Sequence, residues 1–132
     1  MTITKQLATN KKVSMRKKTS TNFENEKFLE YDCPFMTTLR FIGKRWKPAV
    51  LWKIHDGKVR FNQLKEALPY ISDKMLANTV SELEADGIIE KLIFKEVPLR
   101  VEYKLTNFGF GILPVLSEMN KWGSITKENL KP

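Results

Sequence analysis

The sequence holds one cysteine and one histidine in 132 residues. A single thiol excludes a disulfide within the chain and fits a reducing cytoplasm. Cys33 and His55 together cannot make the cluster that zinc needs. The sequence has no Gly-rich phosphate loop and no Ser-His-Asp set, so it gives no support for enzymatic catalysis. No cofactor or metal is expected. No apolar run approaches the roughly 18 residues of a membrane span. The N-terminus lacks the apolar core of a secretory signal, so neither a span nor a leader is expected. Acids are absent from residues 1–22, which carry Lys5, Lys11, Lys12, Arg16, Lys17 and Lys18.

Apolar residues make up 42% of the chain, enough for one domain with a real core. The formal charge of +8 makes polyanions the first class of partner to consider. Six of those charges lie in residues 1–22, leaving only +2 for residues 23–132, so the charge says less about the folded part. Residues 1–22 read as a basic, disordered tail and residues 23–132 as the domain. Met15 is a second candidate for the start of the chain.

Within the domain, Phe23, Phe28, Leu29 and Tyr31 offer a short segment able to bury. Pro34 suits the first position of a helix, which makes Cys33 its N-cap, and Gly43 ends it. A second helix is predicted from Pro48 to about His55, with Val50, Leu51 and Ile54 inward. Asp56-Gly57 signals a turn, and Val59-Arg60-Phe61 is short and β-like, with Phe61 in the core. Asn62 then caps a helix over 63–68 that Pro69 stops. Ser72 caps a fourth helix whose buried face is Met75, Leu76, Thr79, Val80 and Leu83, closed by Gly87. Residues 88–95 and 101–105 read as strands. Thr106 caps a long last helix with Phe108, Ile112, Val115, Leu116, Met119 and Trp122 on a broad apolar stripe. Pro114 should kink it, because proline has no N–H for residue 110, and Gly123 should end it. Two short helices around Pro69-Tyr70-Ile71, followed at once by a hairpin, give the order of a winged helix-turn-helix. The fold class is mainly α with a small antiparallel β-hairpin wing.

Chemistry then attaches to position. A helix in a major groove shows its N-terminal half to the bases. Lys74 and Asn78 lie there and are the base-edge candidates, asparagine being able to read adenine through two hydrogen bonds. An ordinary solvated helix face explains the same residues. On the hairpin, Lys95 and Arg100 supply cations for a phosphate backbone and Pro98 stiffens the turn. Glu96 and Glu102 can pair with Lys104, Arg100 or Lys91, and a surface hairpin with cross-strand ion pairs is the plainer reading. Arg60 can reach a phosphate, and Asn62 and Ser72 stand at helix starts whose N–H groups favour anions. Lys44, Arg45, Lys47 and Lys53 add charge, some of it only solubilising. Cys33, at a helix N-terminus, is favoured as thiolate and so as a target for oxidants; a buried small hydrophobe is the alternative.

Several stretches together resemble the HxlR-type winged-helix regulators of the MarR-like set, over residues 31–125. They are Cys33-Pro34, FIGKRWKPAVLWKI, GKVRFNQLKEALPYIS, KMLANTVSELEADGIIEK, EVPLRVEYKLTNFG and LPVLSEMNKWG. The string EVPLRVEYKLT after a Leu-Glu-x-x-Gly helix end is the most specific. The resemblance implies a homodimeric DNA-binding transcription factor, dimerised through its N- and C-terminal helices, on an inverted repeat of double-stranded DNA. It implies also that a cysteine placed like Cys33 senses a small electrophile or oxidant in some members. The chain departs from the family where Gly43-Lys44-Arg45-Trp46 replaces Gly-Gly-Lys-Trp. A protein-interaction module and a sequence-neutral nucleic-acid-binding protein are the alternative functions.

Overall fold

The computed structural model describes residues 17–130. The tail expected over residues 1–16 lies outside them, as does the burial expected of Leu29 and Tyr31. Two compact units divide the chain, Met1–Gly43 and Lys44–Pro132.

In the first unit, α1 (Lys17–Tyr31) packs against α2 (Pro34–Ile42). Helix α1 begins inside the stretch expected to be tail. Its 15 residues contain neither glycine nor proline, so nothing interrupts the backbone ladder once it starts. Phe23 is exposed on it. Helix α2 opens as predicted, with Cys33 extended at the N-cap, Pro34 first and Gly43 at the C-cap. The Thr37 and Thr38 hydroxyls donate to the carbonyls of Cys33 and Pro34 at 3.3 and 3.1 Å.

The second unit holds the helix-turn-helix. Helix α3 (Lys47–His55) buries Val50, Leu51 and Ile54, the inward face expected. Gly57 then takes φ +98°, where a side chain would be strained. The strand expected at Val59–Phe61 does not form. Its one trace is the Tyr103 N–H donating to the Val59 carbonyl at 2.8 Å. Helix α4 (Phe61–Ala67) starts earlier than predicted, with Arg60 and not Asn62 at the N-cap. Arginine has no acceptor to cap with. Gln63 does it instead, its Oε1 accepting from the Val59 and Arg60 N–H groups at 2.9 and 3.0 Å. That bond holds 59 and 60 in the helix entry, and Phe61 ends half-buried, not in the core.

Helix α5 (Asp73–Ala85) is capped as expected, Ser72 Oγ accepting from the Met75 N–H at 3.0 Å. Leu76, Thr79, Val80 and Leu83 face inward, whereas Met75 is exposed. Gly87, at φ +76°, turns the chain into β1 (Ile89–Phe94), which pairs antiparallel with β2 (Arg100–Leu105) from Ile89↔Leu105 to Phe94↔Arg100. Leu51, Leu64, Leu76, Leu83, Ile89 and Val50 are the large side chains sealed from solvent. Each contributes about 1.5–3 kcal/mol by leaving water.

The long last helix is in fact two. Thr106 caps only α6 (Asn107–Phe110), and α7 runs over Leu113–Leu130. Pro114 therefore sits in the first turn of a new helix, where its missing N–H costs nothing, and makes a break instead of a kink. Gly123 does not end α7, which continues seven residues to Leu130. Thr106 also ties α6 to the sheet: its Oγ1 accepts from the Gly109 N–H and its hydroxyl donates toward the Gly87 and Ile88 carbonyls. On α7, Leu116 alone is buried, while Val115, Met119, Trp122 and Ile125 are exposed.

Candidate nucleic-acid interface

The helix-turn-helix is held by side chains as well as by its core. Lys65 of α4 reaches over the turn, its Nζ donating to the Ile71 carbonyl at 2.6 Å and pairing with Asp73 at 2.9 Å. This fixes the start of α5 against α4. The four residues buried on α5 leave Asp73, Lys74, Ala77 and Asn78 exposed on the N-terminal half of its outer face, with Ser81 following. Lys74 and Asn78 thus share one surface, a single helical turn apart. Among the described residues Lys74 has no ion-pair partner.

Two of the acids at the far end of α5, Glu82 and Asp86, are paired from behind. Lys47, only 4% exposed, lies 3.3 Å from Glu82 and 3.5 Å from Asp86, and Lys44 lies 3.2 Å from Glu82. Hydrogen bonds from Lys44 and then Lys47 hold the Glu82 carboxyl below its ordinary value. Lys47 is therefore structural, not the solubilising charge its sequence position allowed.

On the wing, of the pairings the sequence offered for Glu96 and Glu102, the one with Arg100 forms. Arg100 does not project from the turn. Its guanidinium lies 3.8 Å from the centre of the Phe94 ring and donates to Glu96 and to Glu102, both at 2.7 Å. Those bonds lower the Glu96 carboxyl pKa and raise that of Arg100. Glu102 also meets Arg60, at 3.5 Å, so Glu96, Arg100, Glu102 and Arg60 form one ionic chain. It runs beside a cleft of about 640 Å³ between the wing and the start of α4, with exposed Asn62 on its rim. Lys104 pairs with Glu90 at 3.4 Å instead of with Glu96 or Glu102. Lys95 is exposed near the tip and, among the described residues, has no ion-pair partner. The tip itself is apolar, Val97 being fully exposed and Leu99 62% exposed. Sequence reasoning missed the Arg60–Glu102 contact, the Lys65 clamp and the apolar tip. Only the tip had a plain signal, a Val-Pro-Leu run between strands.

The structure thus brings Lys74, Asn78 and Ser72 onto one helix and Lys95 and Arg100 onto the wing. Arg60 and Asn62 lie at the start of α4. Cys33 belongs to the first unit and is half-buried, a free thiol with no side-chain cap bond. Among the described residues no group of three histidine, cysteine or acidic side chains could hold a metal, and no helix is long and apolar enough to cross a membrane.

A helix-turn-helix followed by a two-stranded wing defines a winged-helix regulator. The chain belongs to the HxlR-like helix-turn-helix family, whose model matches residues 41–131. It is 43% identical over 98 residues to the HTH-type transcriptional regulator YdeP of Bacillus subtilis (strain 168), covering 74% of this chain and 77% of that protein. The redox regulator HypR in its reduced form is similar in structure, with a TM-score of 0.69 and 39% identity over 74% of this chain and 96% of that one. Reduced YodB from B. subtilis, also a transcriptional regulator, gives 0.61 and 38% over 69% and 90%. The protein is accordingly a transcriptional regulator of HxlR and MarR type, with a DNA-binding helix-turn-helix.

Proposed function

We propose that the protein binds an inverted-repeat operator as a homodimer and that oxidants or electrophiles act on it through Cys33. The observation that carries the DNA reading is the outer face of α5. Lys74 and Asn78 are exposed on its N-terminal half, while Lys47 and Lys44 pair with Glu82 and Asp86 at its far end. Lys74 and Asn78 read base edges in the major groove. Ser72, Asn62 and Lys95 contact phosphates, and Arg60 and Arg100 form the charged edge between α4 and the wing. In the dimer two such helices sit about 34 Å apart, one turn of DNA. The exposed apolar residues Val115, Met119 and Trp122 on α7, and Phe35 and Leu39 on α2, supply the dimer faces. Residues 23–132 act as the DNA-binding and dimerising part.

The redox reading is supported by the relatives. HypR is a redox regulator solved in oxidised and reduced forms, and YodB has been solved after diamide treatment. Here the thiol is partly accessible and alone, so its oxidised product is a bond to a small thiol or to a second chain. Operator binding measured with and without diamide tests it. Wild-type binding should change and Cys33→Ser should not respond. An equal response in both proteins contradicts the cysteine's role.

A further inference from the structure

The ionic chain on the wing does something that phosphate contact alone does not require. Glu102 is 22% exposed in its side chain and touches two arginines, Arg100 at 2.7 Å and Arg60 at 3.5 Å. Arg100 has a second acid in Glu96, whereas Glu102 is the one ion-pair partner of Arg60 among the described residues. Both arginines border the cleft between the wing and α4. Each would be a strong and sequence-blind phosphate ligand if released, because guanidinium binds phosphate through paired N–H groups whatever the base.

We infer that Glu102 is a specificity-determining residue. Its carboxylate occupies Arg60 and shares Arg100, which limits sequence-neutral attraction to DNA while the exposed face of α5 supplies the sequence preference. Restraining a non-specific term is as effective for discrimination as strengthening a specific one. Lys95, which has no ion-pair partner among the described residues, carries the sequence-neutral part. The inference rests on the regulator reading above and adds to it a residue that lowers affinity for the wrong sites.

The test measures binding of the full chain to a selected operator duplex and to a scrambled duplex, by fluorescence anisotropy over a salt series. Glu102→Gln, nearly the same shape without the charge, should tighten scrambled-duplex binding by about three- to tenfold near 0.1 M salt and steepen the salt slope by about 1 per wing engaged. The ratio of operator to scrambled affinity should fall. Adding Arg60→Gln to Glu102→Gln should remove the gain, a coupling that independent effects would not produce. Unchanged or weaker scrambled binding in Glu102→Gln overturns the inference, as does a gain that survives Arg60→Gln. If Glu102→Gln does not fold, Arg60→Gln alone decides: it should weaken scrambled binding less than Lys95→Gln does, and an equal or greater loss overturns the inference. A wild-type protein with no sequence preference would count against the operator reading instead, since scrambled-duplex binding still reports on Glu102.

Discussion

Lys74 and Asn78 occupy the two exposed positions of α5 where a side chain can both donate to a base edge and be presented by the helix N-terminus. Replacing either with alanine should cost about 1–3 kcal/mol of sequence preference for each pair of base-edge hydrogen bonds removed, and little affinity for scrambled DNA. Competition between operator and scrambled duplexes measures this. Arg100→Ala is expected to act differently, because it uncovers Glu96 and Glu102 as well as removing a cation. Its loss of duplex affinity should be partly restored by adding Glu96→Gln, which a direct phosphate contact alone would not allow. Gly109 answers to packing. A Cβ there would fall on the backbone carbonyl of Ile88, which cannot swing aside. Gly109→Ala should lower stability by about 1–3 kcal/mol in chemical unfolding.

Helix α5 is tied at both ends, by Ser72 and Lys65 at the start and by Lys44 and Lys47 near the close. Losing Lys47, with its buried stem and its two acids, should cost about 1–3 kcal/mol in Lys47→Ala. The pH dependence follows from Glu82. Its carboxyl is held below the ordinary value of 4.5 in the folded protein. Its contribution is thus present above that value and lost as pH falls through the lower, folded one. The melting temperature should hold near neutral pH and fall below about pH 4.5, with a smaller fall in Glu82→Gln. At this scale much was legible. Ser72, Gly87, Pro34 and the Leu76-Thr79-Val80-Leu83 spacing fixed their elements through local rules of capping and periodicity. What was not legible depended on which of several nearby partners a side chain takes. The Arg60 cap and the missing strand at Val59 are both set by Gln63, and Arg100 is held by the Phe94 ring as well as by the acids the sequence offered. The break before Leu113 was hidden because Pro114 fits either a kink or a first turn, and only the chain's path from Thr106 decides between them.

For the whole molecule, α7 carries Val115, Met119, Trp122 and Ile125 to solvent over its length, more apolar surface than a lone chain usefully exposes. A second copy covering it would set two α5 helices for one operator. Light scattering at micromolar concentration should give twice the chain mass, and Trp122→Glu should give a monomer with weakened operator binding. Roughly eight phosphate contacts in the dimer imply a fall of log K with log salt of slope near −7. The most direct single measurement is selection of bound sequences from random duplex DNA by the wild-type protein. The account predicts an enriched inverted repeat with half-site centres about 10 base pairs apart. Recovery of unenriched sequence, or of a single half-site with no symmetric mate, would contradict it.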